Sequence, residues 1–213
     1  QYRDVQACSG KPGSASVMPG DCSIWNDPKR TLLGTAQEQW LDAAFARAGQ
    51  RDKGWNIVGQ QTLFGKLDTF PGPGELLWND GWTGYPAAQR RFTDAVQRHR
   101  VPNMVLLGGD VHQNWVGHVK ADYNNPKSAS VGVEFCGTSI TSRGSTGLPK
   151  FLPENPHFVF AEAHKRGYGV AEFTPDKLTT TLRVVDDVTK RDAAIGTLAR
   201  FEVQAGRAVV ERA

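Results

Sequence analysis

Apolar residues fall at helical spacing in one early stretch of the chain: Trp40, Leu41, Ala44, Phe45 and Ala48 form a single face. Thr35, three residues before Glu38, reads as a capping box that opens this helix, and Gly49 reads as the residue beyond its end. A short strand is expected over 55–61. Pro86 suits the first position of a second helix, expected over 86–100 with Phe92, Ala95 and Val96 facing inward. Met104 to Leu107 is apolar without alternation, the pattern of a strand buried on both faces. Further strands are expected over 114–119, 131–136, 157–162, 168–173 and 178–185. A terminal hairpin is expected to pair 201–203 with 208–210 around a turn at 204–207. The order helix, strand, helix, strand, then several strands predicts an α/β fold, a sandwich whose second half turns antiparallel.

Composition sharpens this picture. The chain has 213 residues, 39% hydrophobic and 22% charged, which suits one globular domain with a core. Its 23 Gly and 12 Pro argue against a helix bundle or coiled coil. Residues 1–30 read as an extended, turn-rich lead-in. Residues 62–85 read as a long ordered loop, a length that usually marks function. No apolar run reaches transmembrane length, and no signal peptide is visible. The chain opens on Gln1 rather than Met, so a processed or shortened protein is expected. The net charge of +3 is scattered, which does not favour nucleic-acid binding.

Cys8 and Cys22 flank a Gly/Pro/Ser-rich stretch and suit a disulfide in an exported protein; two free thiols or a zinc site with distant partners are the alternatives. Cys136, in an apolar run, reads as a buried small hydrophobe.

The strongest chemical signal is Gly108-Gly109-Asp110-Val111-His112, just past the carboxyl end of the buried strand. Ligands of open α/β sheets bind at such ends. The two glycines are expected to make the sharp turn, with Asp110 and His112 projecting outward and Val111 inward. A carboxylate suits hard cations and an imidazole suits first-row transition metals. Gln60 and Gln61 end another strand and offer amide oxygens to a metal or a phosphate. His118, His157, His164 and, on a surface helix, His99 are the remaining imidazoles. Arg143, Arg166 and Lys165 are candidate phosphate partners. Ser139, Thr141 and Ser142 are candidate donors, and Trp78, Trp82 and Tyr85 a candidate aromatic rim. A capping Asp, solvated charges, ordinary turns and core aromatics remain the alternative readings.

Several stretches, in order along nearly the whole chain, resemble the PhoD-type alkaline phosphatases of the calcineurin-like metallophosphatase group. They are Gln1-Tyr2-Arg3-Asp4 with Cys8, Arg30 to Gly34 with Gln37 and Trp40-Leu41, Trp55 to Gln61, Gly84-Tyr85-Pro86 and Gly108 to His112. Glu134-Phe135, Thr138 to Ser142, Asn155-Pro156-His157, Arg166-Gly167-Tyr168 and Val184 to Val188 complete the set. The resemblance implies part of a metallophosphatase-like β-sandwich flanked by helices, and a secreted or periplasmic hydrolase of phosphate esters using Fe³⁺ and Ca²⁺. Phosphodiesterase or phospholipase D-type activity belongs to the same resemblance, and a non-catalytic structural or binding domain is the competing reading.

By this resemblance Asp110 and His112 are metal ligands. Gln60 and Gln61 stand where related enzymes present a metal-binding His, and Arg143, Arg166 and His157 are weaker substrate candidates. Thr83 stands where the family pattern has Asp. The family's first metal motifs, which include a Cys ligand, a bridging Asp and an Asn, are not found in residues 1–213. Cys8 matches a different family Cys. The expectation is therefore that residues 1–213 are the C-terminal portion of a catalytic domain. The missing N-terminal part is then their partner in forming the site.

Overall fold

A computed structural model describes residues 2–10, 13–51, 53–144 and 149–213. Gln1 of the first resembling stretch and Lys11 and Pro12 of the loop between Cys8 and Cys22 lie outside the described residues. The elements are β1 (Ser16–Val17), α1 (Thr35–Ala48), β2 (Asn56–Gly59), β3 (Leu77–Trp78), α2 (Pro86–Arg98), β4 (Met104–Gly108) and β5 (Asn114–Lys120). They continue with β6 (Ser130–Cys136), β7 (Phe158–Glu162), β8 (Arg166–Phe173), β9 (Lys177–Val185), β10 (Ile195–Gln204) and β11 (Glu211–Arg212). No described helix is long and apolar enough to cross a membrane.

A five-stranded mixed sheet has the order β2-β4-β6-β5-β7, with β2, β4 and β6 parallel and β5 antiparallel to both neighbours. A four-stranded antiparallel sheet, β11-β10-β9-β8, packs on one of its faces. Val105 and Phe135 meet Leu178, Leu182 and Phe201 there. α1 and α2 cover the other face, where Met104, Leu106 and Val119 meet Phe45, Phe92 and Val96. β4 is therefore apolar at successive positions because odd and even residues feed two cores. The α/β sandwich expected from the order of elements is the observed architecture.

The structure corrects several details. The cap of α1 is Gly34, not Thr35, and it makes no side-chain capping bond. Glu38 instead accepts hydrogen bonds from the Thr31 hydroxyl and the Arg91 guanidinium, which tie α1 to the preceding turn and to α2. Trp40 is exposed, because the buried stripe of α1 narrows to Phe45 and Ala48. Gly49 is right-handed; a Cβ there would fall 1.8 Å from the carbonyl of His99, so it serves close helix approach rather than a left-handed cap. In the terminal hairpin β10 is longer than expected, and its partner is Glu211–Arg212.

Residues 60–85 are largely irregular, yet Leu63, Phe64, Trp82 and Tyr85 are buried among the helices and sheets. Side chains from elsewhere bond this segment's backbone. Glu134 on β6 accepts from the amides of Phe64 and Gly65 at 2.6 and 2.8 Å. Asn155 accepts from the amide of Asp68 and donates to its carbonyl, both at 2.8 Å. Asn79 does the same work in the other direction, accepting from the Ala15 amide and donating to the Ala7 carbonyl. Cys8 and Cys22 are joined in a disulfide, and Cys22 packs in a small core with Ala7, Val17, Trp25 and Leu77.

Burial lifts the Glu134 carboxyl from 4.5 to about 7, outweighing the two amide bonds that favour its charged form. Glu134 thus binds its proton more tightly when folded, so its stabilisation is full below about pH 4.5 and is lost as pH rises through about 7. Relative to Glu134→Gln, wild-type unfolding free energy should fall by roughly 3 kcal/mol between acid and neutral pH in urea titrations. A pH-independent difference would remove the assignment. Separately, Cys8→Ser with Cys22→Ser should lower stability by about 3 kcal/mol, the loop-closure value for a bridge of this span, and no loss in the same titration would contradict it.

Candidate functional site

The parallel strands β2, β4 and β6 all end on one edge of the five-stranded sheet, and their following segments meet there. The amide of Gly137 donates to the carbonyl of Gly108 at 2.9 Å, and the Cys136 thiol lies 3.3 Å from the carbonyl of Gly109. A Cβ on Gly108 would fall 2.4 Å from the Thr62 carbonyl, so glycine is required where the β2 segment crosses β4.

The sharp turn is not made by the glycines. Asp110 and His112 themselves are left-handed, at φ 67° and 59°. Non-glycine residues rarely adopt this conformation, at a cost of order 1–3 kcal/mol each, and it persists only where surrounding contacts fix it. Both residues are exposed, whereas Val111 between them packs toward Trp115 and Cys136. The alternating backbone thus turns two polar side chains outward from one edge.

The contacts that fix this turn come from distant segments. The Arg166 guanidinium donates to the His112 carbonyl at 2.6 Å and to the Ser139 hydroxyl at 2.9 Å, and it also donates to the Ala163 carbonyl. The Thr138 hydroxyl lies 3.1 Å from the same His112 carbonyl, and the Thr138 amide donates to Asn114. Arg166 is 2% exposed, so its donors face the protein interior rather than a ligand.

The other sequence candidates are distributed differently. Gln60 sits at the same edge, but its amide oxygen already accepts from the Thr62 amide and the Trp82 indole, and its nitrogen donates to the Thr62 carbonyl. It clamps the loop and has little left for a metal. Gln61 is exposed beside Gly109. Trp82 and Tyr85 belong to the core, leaving Trp78 as the exposed member of the expected aromatic rim. Lys165 pairs with Asp186, and Arg143, Thr141 and His164 are exposed. His99 pairs with Asp42 on α1.

His157 does not reach the edge. It precedes β7, whose Phe158 pairs with Gly117 whereas Glu162 pairs with Asn114, so it lies about 13 Å or more down the sheet. There it packs on Tyr123 and Phe158, and burial pulls its pKa down to about 4. His118, also on the lower part of β5, accepts from the Val210 amide, and burial lowers its pKa too.

Sequence reasoning missed the brace of Thr138 and Arg166 behind His112, and the clamp of Glu134. A signal for the latter exists: Glu134 is a lone acid inside an apolar strand.

Asp110 and His112 offer a hard oxygen and an imidazole nitrogen, a donor pair suited to a cation. Among the described residues no group of three or more His, Cys, Asp or Glu comes together to hold a metal ion. Calcium alone requires six to eight oxygens. The pair therefore fits part of a metal centre, and these residues by themselves do not make a whole one.

Residues 1–182 match the family model for PhoD-like phosphatase. The chain is 37% identical over 209 residues to a protein named alkaline phosphatase D from Bacillus subtilis (strain 168), covering 96% of this chain and 34% of that protein. It also resembles a solved structure titled "Structure of PhoD", with a TM-score of 0.87 and 34% identity over 100% of this chain and 40% of that one. The chain thus spans about a third of the curated relative. A family model matching most of its length, 37% identity to a curated relative and a shared fold lead to one conclusion: this chain belongs to the PhoD-like phosphatase family.

Proposed function

We propose that these residues supply one wall of a metal-dependent phosphate-ester hydrolase, completed by further residues of the same protein outside the 213. The observation that carries this reading is the outward, left-handed pair Asp110 and His112 at the C-terminal end of β4. Its support is the family membership of the chain. The cations are Ca²⁺ and Fe³⁺, as the family resemblance implies. Such cations, when bound, polarise the phosphoryl group and lower the pKa of a coordinated water.

The chain's own contribution is positional. The Asp110 carboxylate and His112 imidazole act as donors, and their strained backbone sets the direction in which they point. Thr138 and Arg166 hold that backbone from behind. Gln60 and Trp82 fix the neighbouring segment of the edge. Because the described residues make an incomplete donor set, this reading assigns the remaining ligands to the N-terminal motifs that the family resemblance implies. The Cys8–Cys22 disulfide supports a periplasmic or secreted location, where such bridges persist.

In a longer form of the protein that includes the completing residues, Asp110→Ala and His112→Ala should each lower hydrolysis of p-nitrophenyl phosphate by more than about 100-fold, beyond the roughly 10- to 100-fold that an outer-sphere change commonly costs. Unchanged circular dichroism would show that the fold is kept. Activity above about a tenth of the parent would remove the pair from the centre. Parallel assays with bis-p-nitrophenyl phosphate and phosphatidylcholine separate a monoesterase from a diesterase or phospholipase. The 213-residue chain alone should retain less than about 0.2 metal per chain and hydrolyse none of these esters. Calcium-dependent turnover by that chain would overturn the proposal that its site is incomplete.

A further inference from the structure

We infer that Arg166 is a positioning residue: it aims the His112 side chain by holding the His112 carbonyl and does not bind substrate. The inference rests on the hydrolase reading for its kinetic test alone. Arg166 opens β8, 54 residues after His112 in sequence, and it reaches under the edge from the four-stranded sheet. Its donors go to three separate segments: the turn at His112, the loop at Ser139 and the end of the β7 segment at Ala163. One planar fork therefore sets the spacing of the three segments that surround the turn, which a single-point ammonium does not do.

The electrostatics favour geometry over stability as its role. A buried guanidinium is costly unless a carboxylate answers it. The carboxylate that favours its charge is Glu162, whose oxygens already accept from the amides of His164 and Lys165. Nε of Arg166 is buried and has no partner among the described residues. What this arrangement provides is a carbonyl held by Arg166, with the Thr138 hydroxyl placed between it and the Lys165 carbonyl, at a residue whose φ of 59° needs external support. The sequence-level reading of Arg166 as a phosphate partner does not survive this geometry, because both terminal nitrogens point at protein oxygens.

Arg166→Met tests the inference in two ways. In the 213-residue chain, amide hydrogen exchange at Val111 and Thr138 should speed up by about tenfold or more, while Leu106 and Phe135 in the sheet stay protected. In the longer, active form, kcat should fall by roughly 100-fold with KM within about threefold, the signature of misplacement rather than lost binding. Arg166→Lys should recover part of both effects.

Unchanged exchange at Val111 and Thr138, or a raised KM with kcat preserved, would overturn the inference, the latter by making Arg166 a substrate ligand. If Arg166→Met does not fold, Thr138→Val removes the hydroxyl beside the same carbonyl and should move both readouts in the same direction, less far; no movement there would also overturn it. Absence of hydrolysis by the wild-type longer form sinks the proposed function, and the exchange measurement still decides the role of Arg166.

Discussion

The backbone of residues 60–85 must find hydrogen-bond partners with almost no sheet or helix to supply them, and much of the architecture follows from how it does so. Buried amides and carbonyls left unpaired cost free energy comparable to a lost hydrogen bond. Here the partners are side chains: Glu134 for Phe64 and Gly65, Asn155 for Asp68, Gln89 for the Phe64 carbonyl, and Gln60 for Thr62. These bonds let an irregular segment run through the interior. It then places Phe64 and Trp82 against Phe92 of α2 and returns to the strand-end edge.

The same device recurs at the edge itself. The turn through Asp110 and His112 is strained, and no ladder hydrogen bond holds it. Thr138 reaches it from the segment after β6 and Arg166 from β8, so both sheets of the sandwich contribute to one exposed pair. The ionic cost of Arg166 and the raised carboxyl of Glu134 are two forms of one trade: polar groups are buried to define backbone geometry. Stability is given up locally, and conformational definition is gained at the Phe64–Gly65 segment and at the His112 turn.

Much of this fold was legible from the sequence. The uninterrupted apolar run of β4 announced a strand buried on both faces, and Pro86 announced the start of α2. The edge pair Asp110 and His112 was legible because glycines, a carboxylate and an imidazole followed that run. What was not legible has a common cause. Glu134 and Phe64 are 70 residues apart, Asn155 and Asp68 are 87, and Arg166 and His112 are 54. Local periodicity carries no information about such pairs, so Gln60 read as a ligand and Arg166 as a phosphate partner. The apparent capping box at Thr35 failed for a related reason: Arg91, far along the chain, takes the Glu38 carboxylate.

Buried side chains make residues 60–85 as firmly structured as the sheet beside them. Native-state amide hydrogen exchange across the chain measures this directly. Phe64, Gly65 and Asp68 should exchange only through opening free energies within about 1 kcal/mol of those of β4 and β6, as members of the same cooperative unit. Exchange of these three amides at rates typical of solvent-exposed loops, with the sheet protected, would contradict it.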